Sequence, residues 1–298
     1  MKKVIVTGLT SYIGNSFEEW IKIQNENAPE EEKIEVTKLS LRNAAWQKED
    51  WSGYDAILHV AGLAHVDVRE TDEATRQKYM KINRDLTIAA ADKARRDGVS
   101  QFIYMSSIIV YGDSSAVGQE KIITRDTKPE PGSFYGDSKL QAELGIKPLE
   151  TDDFHISIIR TPMVFGEGSK GNFPRLADLV RKTPFFPKVE NKRSMIYIYN
   201  LTELIRQLIL TDRSGTFYPQ NKELLSTCEL IKLIADAYGK KVHFAGGMKG
   251  LLKLGSKVSG SVNKLFGSLA YEEDMSLCGI DYRVFSAEDA VRRSVGSK

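Results

Sequence analysis

The run Val4-Ile5-Val6-Thr7 is β-branched at every position and passes straight into Gly8-Leu9-Thr10-Ser11-Tyr12-Ile13-Gly14. Short unbroken runs of this kind mark strands buried on both faces, as in parallel sheets. Parallel neighbours need a crossover between them, usually a helix. Asn15 to Gln24 supplies one, with Phe17, Trp20, Ile21 and Ile23 apolar. Ile34 to Leu41, Asp55 to Val60, Phe102 to Met105 and His155 to Ile159 read as further strands. Asn25 to Lys33 reads as a loop, Thr75 to Arg96 as one long helix closed by Gly98, and Tyr135 to Leu144 as another. This alternation predicts an α/β fold, a doubly wound parallel sheet with helices on both faces.

The glycine turn between strand and helix is a phosphate-binding arrangement. Gly8 permits the tight turn, and Gly14 lets the helix pack on the strand. The amides of Ser11, Tyr12 and Ile13 then stand at the helix N-terminus, where the dipole favours a pyrophosphate. The sheet is accordingly expected to be of Rossmann type, although Ser11 holds the place where a middle glycine is usual. After the second strand stands Ser40-Leu41-Arg42, with no carboxylate to hold a ribose hydroxyl. A guanidinium grips a 2′-phosphate through paired N–H groups, so Arg42 favours NADP(H), with NAD(H) the alternative. Few residues separate Arg42 from Tyr54, so a strand and helix common at this place are absent or reduced.

After about Arg160 the strand–helix rhythm breaks, and glycine and proline are frequent through Pro187. Leu201 to Leu210 and Thr227 to Tyr238 read as helices, the latter capped by Ser226 or Thr227. The expected division is a dinucleotide-binding domain over 1–160 and a smaller C-terminal substrate-binding domain over 161–298 that closes over a substrate. A segment near 190–200 is expected to return to the main sheet.

Apolar residues make up 41% of the 298 and charged residues 28%, enough for a packed core and too apolar for disorder. Lys and Arg (42) nearly balance Asp and Glu (40), so no basic face calls for nucleic acid. Cys228 and Cys278 are too few for a disulfide framework and read as reduced, buried thiols. No apolar run approaches membrane-spanning length. Met1-Lys2-Lys3-Val4 lacks the apolar stretch of a secretory signal, and a soluble cytoplasmic protein is expected. His59, His65, His155 and His243 show no metal spacing, so no metal is expected. Of these, His59, at a strand end, reads as packing.

Tyr135-Gly136-Asp137-Ser138-Lys139 places Tyr135 and Lys139 on one helix face. A phenol is a weak acid–base at neutral pH, and a nearby ammonium lowers its pKa. Such a pair can move a proton to or from a sugar or alcohol oxygen. Upstream, the strand Phe102-Ile103-Tyr104-Met105 ends on Ser106-Ser107, where parallel sheets bind ligands. Ser107, or second Ser106, is the expected hydrogen-bond partner of the reacting oxygen.

The glycine turn, the strand-end serines and the Tyr-Lys helix, in that order, resemble the extended short-chain dehydrogenase/reductase family of NAD-dependent epimerases, dehydratases and ketoreductases. His59-Val60-Ala61-Gly62, Asn83 in the long helix, Val110-Tyr111-Gly112 and Arg160-Thr161-Pro162-Met163-Val164-Phe165-Gly166 are similar to further segments of that family. The likeness implies a catalytic set of Ser107, Tyr135 and Lys139. It implies that Gly8, Ser11, Tyr12, Ile13, Gly14, Arg42, Ala61, Gly62, Asn83 and Pro162, with Tyr135 and Lys139, bind the dinucleotide. Gly171-Asn172-Phe173-Pro174, Pro184-Phe185-Phe186-Pro187 and Asn191-Lys192-Arg193-Ser194 resemble members acting on UDP-N-acetylhexosamines in bacterial capsule and O-antigen pathways. By that likeness Asn172 and Arg193 contact the UDP diphosphate, and Ser107 and Met163 the sugar. A homodimer through the Thr75–Arg96 and Tyr135–Leu144 helices is implied as well.

A dehydratase of this family carries an Asp-Glu pair after the strand-end hydroxyl, whereas Ile108-Ile109 cannot move protons. The expected activity is therefore reduction of a UDP-4-keto-(6-deoxy)-N-acetylhexosamine, favoured by Arg42. A 4-epimerase with tightly held NAD is the alternative, and a non-catalytic dinucleotide sensor is the third reading. Gly246 to Leu269 alternates Lys249, Lys253, Lys257 and Lys264 with apolar residues. Such a stretch can lie on an anionic membrane. It reads instead as a helical cover of the small domain, and membrane contact is not expected.

Overall fold

The structure is a computed structural model, and it describes residues 1–63, 72–246 and 260–296. The chain alternates as expected at first. β1 (Lys2–Thr7) leads to α1 (Tyr12–Asn25), then β2 (Ile34–Leu39) and β3 (Ala56–His59). Next come α2 (Glu73–Tyr79), a π-helical turn (Met80–Asp85), α3 (Leu86–Arg96) and β4 (Gln101–Ser107). β5 (Ile122–Ile123), α4 (Phe134–Ile146), β6 (His155–Thr161), β7 (Met163–Phe165), α5 (Asn172–Lys182) and β8 (Phe185–Pro187) follow. β9 (Met195–Tyr197), α6 (Ile198–Leu210), β10 (Gly215–Phe217), α7 (Thr227–Ala237) and β11 (His243–Ala245) precede a helix at Gly260–Phe266, β12 (Ala270–Tyr271) and a last helix at Ala287–Val295.

Two compact units emerge. The first holds Met1–Gly112, Lys128–Thr161 and Leu201–Tyr218. The second holds Asp113–Thr127, Pro162–Asn200 and Pro219–Lys298. This differs from a single cut after residue 160. The segment that returns to the main sheet is β10, beside β6, whereas β9 pairs with β7 in a separate two-stranded ribbon.

The first unit is a parallel six-stranded sheet of order β10-β6-β4-β3-β1-β2. Strand alternation sends Ile5, Ile57, Phe102, Tyr104, Ile156 and Ile158 to one core with Ala90, Ala91 and Ala94 of α3 and Ala142 and Ile146 of α4. Val6 faces the other way, 3.0 Å from where a Gly14 Cβ would lie, so α1 covers the opposite face. There Trp20 Nε1 donates to Glu203 of α6 at 2.8 Å. The sheet is therefore doubly wound. The chain leaves β1 on one side for β2 and returns on its other side as β3, so the C-terminal ends of β1 and β3 flank the topological switch point.

The reduced segment after Arg42 contains only a short 3₁₀ turn, Ala44–Lys48. Trp46 and Trp51 take the place of a helix there. Both are buried, their rings stack at 5.8 Å, and Lys93 Nζ lies 5.0 Å from the Trp51 ring. Each contributes about 1.5–3 kcal/mol or more by its area alone.

The stretch read as one long helix is three pieces. Its middle turn widens to π geometry over Met80–Asp85 and carries Asn83. Thr87 Oγ1 donates to the Asn83 carbonyl at 2.7 Å, supplying a partner where the regular ladder is broken.

In the second unit α5 buries Phe173, Leu176, Ala177 and Val180, and Phe173 stacks on Phe165 at 5.0 Å. α7 starts with a capping box between Ser226 and Glu229. Neither Cys228 nor Cys278 is in a disulfide among the described residues, and both are half-buried rather than fully buried. Most of the basic amphipathic stretch, including Lys249, Lys253 and Lys257, lies outside the described residues. Among the described residues no helix is long and apolar enough to cross a membrane.

Candidate active site

The site of the first unit begins at the switch point. Gly8 has φ +88°, and a Cβ on it would lie 3.2 Å from the Ala61 backbone. Only glycine combines that backbone with that approach. Ser11 has ordinary extended angles (φ −68°, ψ 131°) and caps α1 by accepting from Gly14 N at 3.3 Å. The place usual for a middle glycine is thus filled by an N-cap, and no strain results. Tyr12 and Ile13 follow in the first turn of α1, where backbone amides have no upstream carbonyl. Gly8 N donates to Leu39 O at 3.0 Å, which brings the end of β2 beside the turn. Arg42 stands exposed three residues beyond it. The cradle at Gly8, the helix start and the carboxylate-free end of β2 together suit a dinucleotide.

The β3 end is held by a directed chain of hydrogen bonds. Ala61 N donates to Thr7 Oγ1 (3.2 Å), which bonds His59 Nδ1 (3.1 Å). Because Thr87 Oγ1 donates onward to Asn83 O, it accepts from His59 Nε2 (3.0 Å). His59 therefore carries a proton on Nε2. Burial, with Lys139 nearby, lowers its pKa to about 3. A folded-state pKa below the unfolded value gives stability that is full above about pH 6.5 and is lost as pH falls toward the folded value. Unfolding free energy should therefore decline below pH 6.5, and His59→Gln should flatten that decline. An unchanged slope in urea melts between pH 4.5 and 7 would refute this.

Asn83 clamps the next residues. Its Oδ1 accepts from Leu63 N at 2.7 Å, and its Nδ2 donates to Leu63 O at 3.2 Å and Ser138 Oγ at 3.0 Å. Asn83 is fully buried, so it positions the Ala61-Gly62-Leu63 loop and α4 from beneath. A Cβ on Gly62 would lie 3.0 Å from Asn83 Oδ1 and 3.7 Å from Lys139 Nζ.

Tyr135 and Lys139 stand on the first two turns of α4, which Ser133 caps through Gly136 N at 3.1 Å. A Cβ on Gly136 would strike Ile109 O at 2.9 Å, so a glycine there lets α4 sit close on the turn after β4. That approach brings Tyr135 near Ser107, whose hydroxyl pulls the phenol's pKa down. Ser106 is engaged further along the same helix, where its Oγ bonds Glu143 of α4. The geometry thus separates the two serines and sets Ser107 beside Tyr135.

Burial pushes the Tyr135 phenol up to about 12, with Ser107 pulling it down and Tyr79 pushing it up. The expectation of a lowered phenol pKa is not met within the chain alone, because desolvation outweighs the pull of Ser107. Lys139 Nζ donates to Met105 O at 2.8 Å and lies 4.8 Å from the Tyr104 ring. Burial lowers its pKa to about 8, against the opposing pull of Glu143. Glu143 itself was not singled out in the sequence. Its spacing, four residues after Lys139, was the available signal.

Pro162, Met163, Asn172 and Arg193 belong to the second unit. Pro162 is buried before β7, and Met163 is half-buried in it. Asn172 opens α5 and its Nδ2 donates to Lys264 O at 3.4 Å. Arg193 is half-buried, with Nη1 donating to Gly267 O at 2.9 Å. Among the described residues no carboxylate lies within ion-pair distance of it. Burial lowers its pKa to about 10.

Residues 4–218 match the model of the NAD dependent epimerase/dehydratase family. The chain is 28% identical to UDP-glucose 4-epimerase of Vibrio cholerae over 264 residues, covering 80% of this chain and 76% of that protein. In fold it is similar to dTDP-4-dehydrorhamnose reductase of Bacillus anthracis, solved with NADP (TM-score 0.72, 20% identity, 98% of each chain). It is also similar to UDP-glucuronic acid 4-epimerase of Bacillus cereus, solved with NAD (TM-score 0.70, 18% identity, 98% of this chain and 95% of that one). With the match spanning the whole parallel sheet from β1 to β10, the chain belongs to the NAD-dependent epimerase/dehydratase family.

Proposed function

We propose that this enzyme is an NADP(H)-dependent reductase of a UDP-4-keto-(6-deoxy)-N-acetylhexosamine, of the kind that supplies bacterial surface polysaccharides. The observation that carries the reading is Tyr135 at the start of α4 beside the Ser107 end of β4, with Lys139 one turn further along the helix, its Nζ donating to Met105 O at 2.8 Å. A phenol near 12 is protonated at neutral pH, and so is ready to give a proton to a keto oxygen. The bound nicotinamide would supply the hydride to sugar C4. Tyr135 protonates O4, Ser107 hydrogen-bonds the same oxygen, and Lys139 holds the cofactor ribose as an ammonium. Gly8, Ser11, Tyr12, Ile13 and Gly14 bind the pyrophosphate, and Ala61 and Gly62 line the cofactor with Asn83 behind them. Pro162 borders the nicotinamide, Met163 contacts the sugar, and Asn172 and Arg193 bind the substrate diphosphate. Arg42 takes the 2′-phosphate. Leu144 of α4 is 57% exposed, which suits burial against a second copy in a homodimer.

The test is NADPH oxidation by purified protein given that keto sugar. The second reading is a UDP-N-acetylhexosamine 4-epimerase, which the likeness to a UDP-glucose 4-epimerase favours. Interconversion of UDP-GlcNAc and UDP-GalNAc without added cofactor, with NAD co-purifying, would establish it instead. If Arg42 grips the 2′-phosphate, Arg42→Ala should raise the KM for NADPH about tenfold and leave that for NADH unchanged, the loss of one exposed charge-assisted contact. Equal effects on both cofactors would remove Arg42 from the site.

A further inference from the structure

Behind the serine–tyrosine pair lies a buried ionic cluster to which the reading above gives no task. Glu143, only 4% exposed, sits one helical turn beyond Lys139 on α4. Arg160 of β6 grips it in a fork: Nη2 donates to Oε2 at 2.6 Å, and Nε is 3.1 Å from both carboxylate oxygens. Arg160 Nη1 in turn donates to Tyr111 OH at 2.6 Å, and the guanidinium lies 5.8 Å from the Tyr218 ring. The Ser106 hydroxyl donates to the remaining side of the carboxylate. Ser106 is the immediate neighbour of Ser107, so the Ser106–Glu143 bond fixes the rotation of the β4 end. With Ser106 held by Glu143, the last residue of β4, Ser107, is held at the strand end where α4 begins.

The same carboxylate acts on Lys139. Groups beside that amine include the Tyr104 ring and the Met105 carbonyl on β4, neutral His59 on β3 and the Asn83 amide beside Gly62, while the Arg160 guanidinium of β6 is paired with Glu143 itself. None of these carries a negative charge. Asp137, the other acid of α4's first turns, is 3.9 Å from Arg76 on the more exposed side. Glu143 is thus the carboxylate that opposes the desolvation of Lys139.

We propose that Glu143 is a positioning residue for the reaction. Its bond to Ser106 fixes the end of β4 that carries Ser107, and its carboxylate stands one helical turn beyond Lys139 on α4. The proposal rests on the Ser107–Tyr135–Lys139 reading, and its test is chosen so that the two can fail separately.

The test follows the Lys139 side chain by NMR on ¹³C-lysine-labelled protein, its signal identified by its loss in Lys139→Arg. In the unaltered chain the titration midpoint should lie near 8. Glu143→Gln should move it down by about one pH unit, and the basic limb of turnover should move with it. Glu143→Asp keeps the charge but shortens the reach to Ser106. It should restore the midpoint while kcat stays reduced, roughly tenfold, as for the loss of one aligned hydrogen bond. Ser106→Ala should lower kcat without moving the midpoint. If Glu143→Gln leaves Arg160 unpaired and the protein does not fold, Glu143→Gln combined with Arg160→Met removes the pair together. The midpoint should still fall, because it is the carboxylate that acts on Lys139. A midpoint that stays near that of the unaltered chain in every folded variant lacking the carboxylate overturns the proposal. The midpoint needs no substrate, so that failure is distinct from undiminished turnover in Tyr135→Phe, which would overturn the functional reading instead.

Discussion

Tyr135→Phe is expected to lower turnover by roughly 10²–10⁴-fold, the range for loss of a positioned general acid. The substitution removes one oxygen and keeps the ring, which packs edge-on against Tyr79 at 6.1 Å. Fold and cofactor affinity should therefore stay close to those of the unaltered chain, and the loss should fall on kcat. The pH dependence has a defined sign. The phenol, near 12, stays protonated across the working range. The ammonium of Lys139 is lost as pH rises through about 8. Turnover should consequently decline above pH 8 through Lys139, long before Tyr135 ionises. Stopped-flow NADPH oxidation across pH 6 to 10, with cofactor binding measured by fluorescence, checks both statements. Turnover within a few fold of the unaltered enzyme would move the acid to another group.

Arg193→Leu should raise the KM for a UDP-sugar by roughly 10–100-fold and leave kcat within a few fold, since a charge-assisted contact to phosphate is worth about 1.5–3 kcal/mol. Stability should move the other way from an ordinary arginine deletion. Arg193 carries its charge half-buried with no carboxylate within ion-pair distance among the described residues. A cation so placed costs desolvation that an anionic ligand offsets. Its acceptor, Gly267 O, also receives Asn191 Nδ2 at 3.1 Å, so removing Arg193 leaves that carbonyl satisfied. The variant should melt at the same temperature as the unaltered chain or higher, and UDP should no longer raise the melting point. A lower melting temperature with unchanged KM would make Arg193 a structural residue.

Much of the first unit was legible because its determinants are local. The β-branched run of β1, the Gly8–Gly14 spacing and the four-residue step from Tyr135 to Lys139 each follow from strand, turn or helix periodicity. The reduced segment after Arg42 was also readable, since its length leaves no room for a strand and a helix. The widened turn at Met80–Asp85 was not. It satisfies its backbone through Thr87 and places Asn83 against Leu63, and both partners come from outside its own periodicity. The return of β10, rather than residues near 190–200, to the sheet edge was equally hidden. Both strands are only three residues long, and pairing partners decide between them.

By itself the sequence determined a parallel α/β sheet, a phosphate-binding turn and a tyrosine–lysine helix, because these depend on residue type at fixed short spacing. Only the tertiary structure decided which serine meets Tyr135, which way the phenol's pKa moves, and that a buried Glu143–Arg160 pair stands behind them. Those outcomes depend on burial and on contacts between residues far apart in the chain, and desolvation is not encoded in any local pattern.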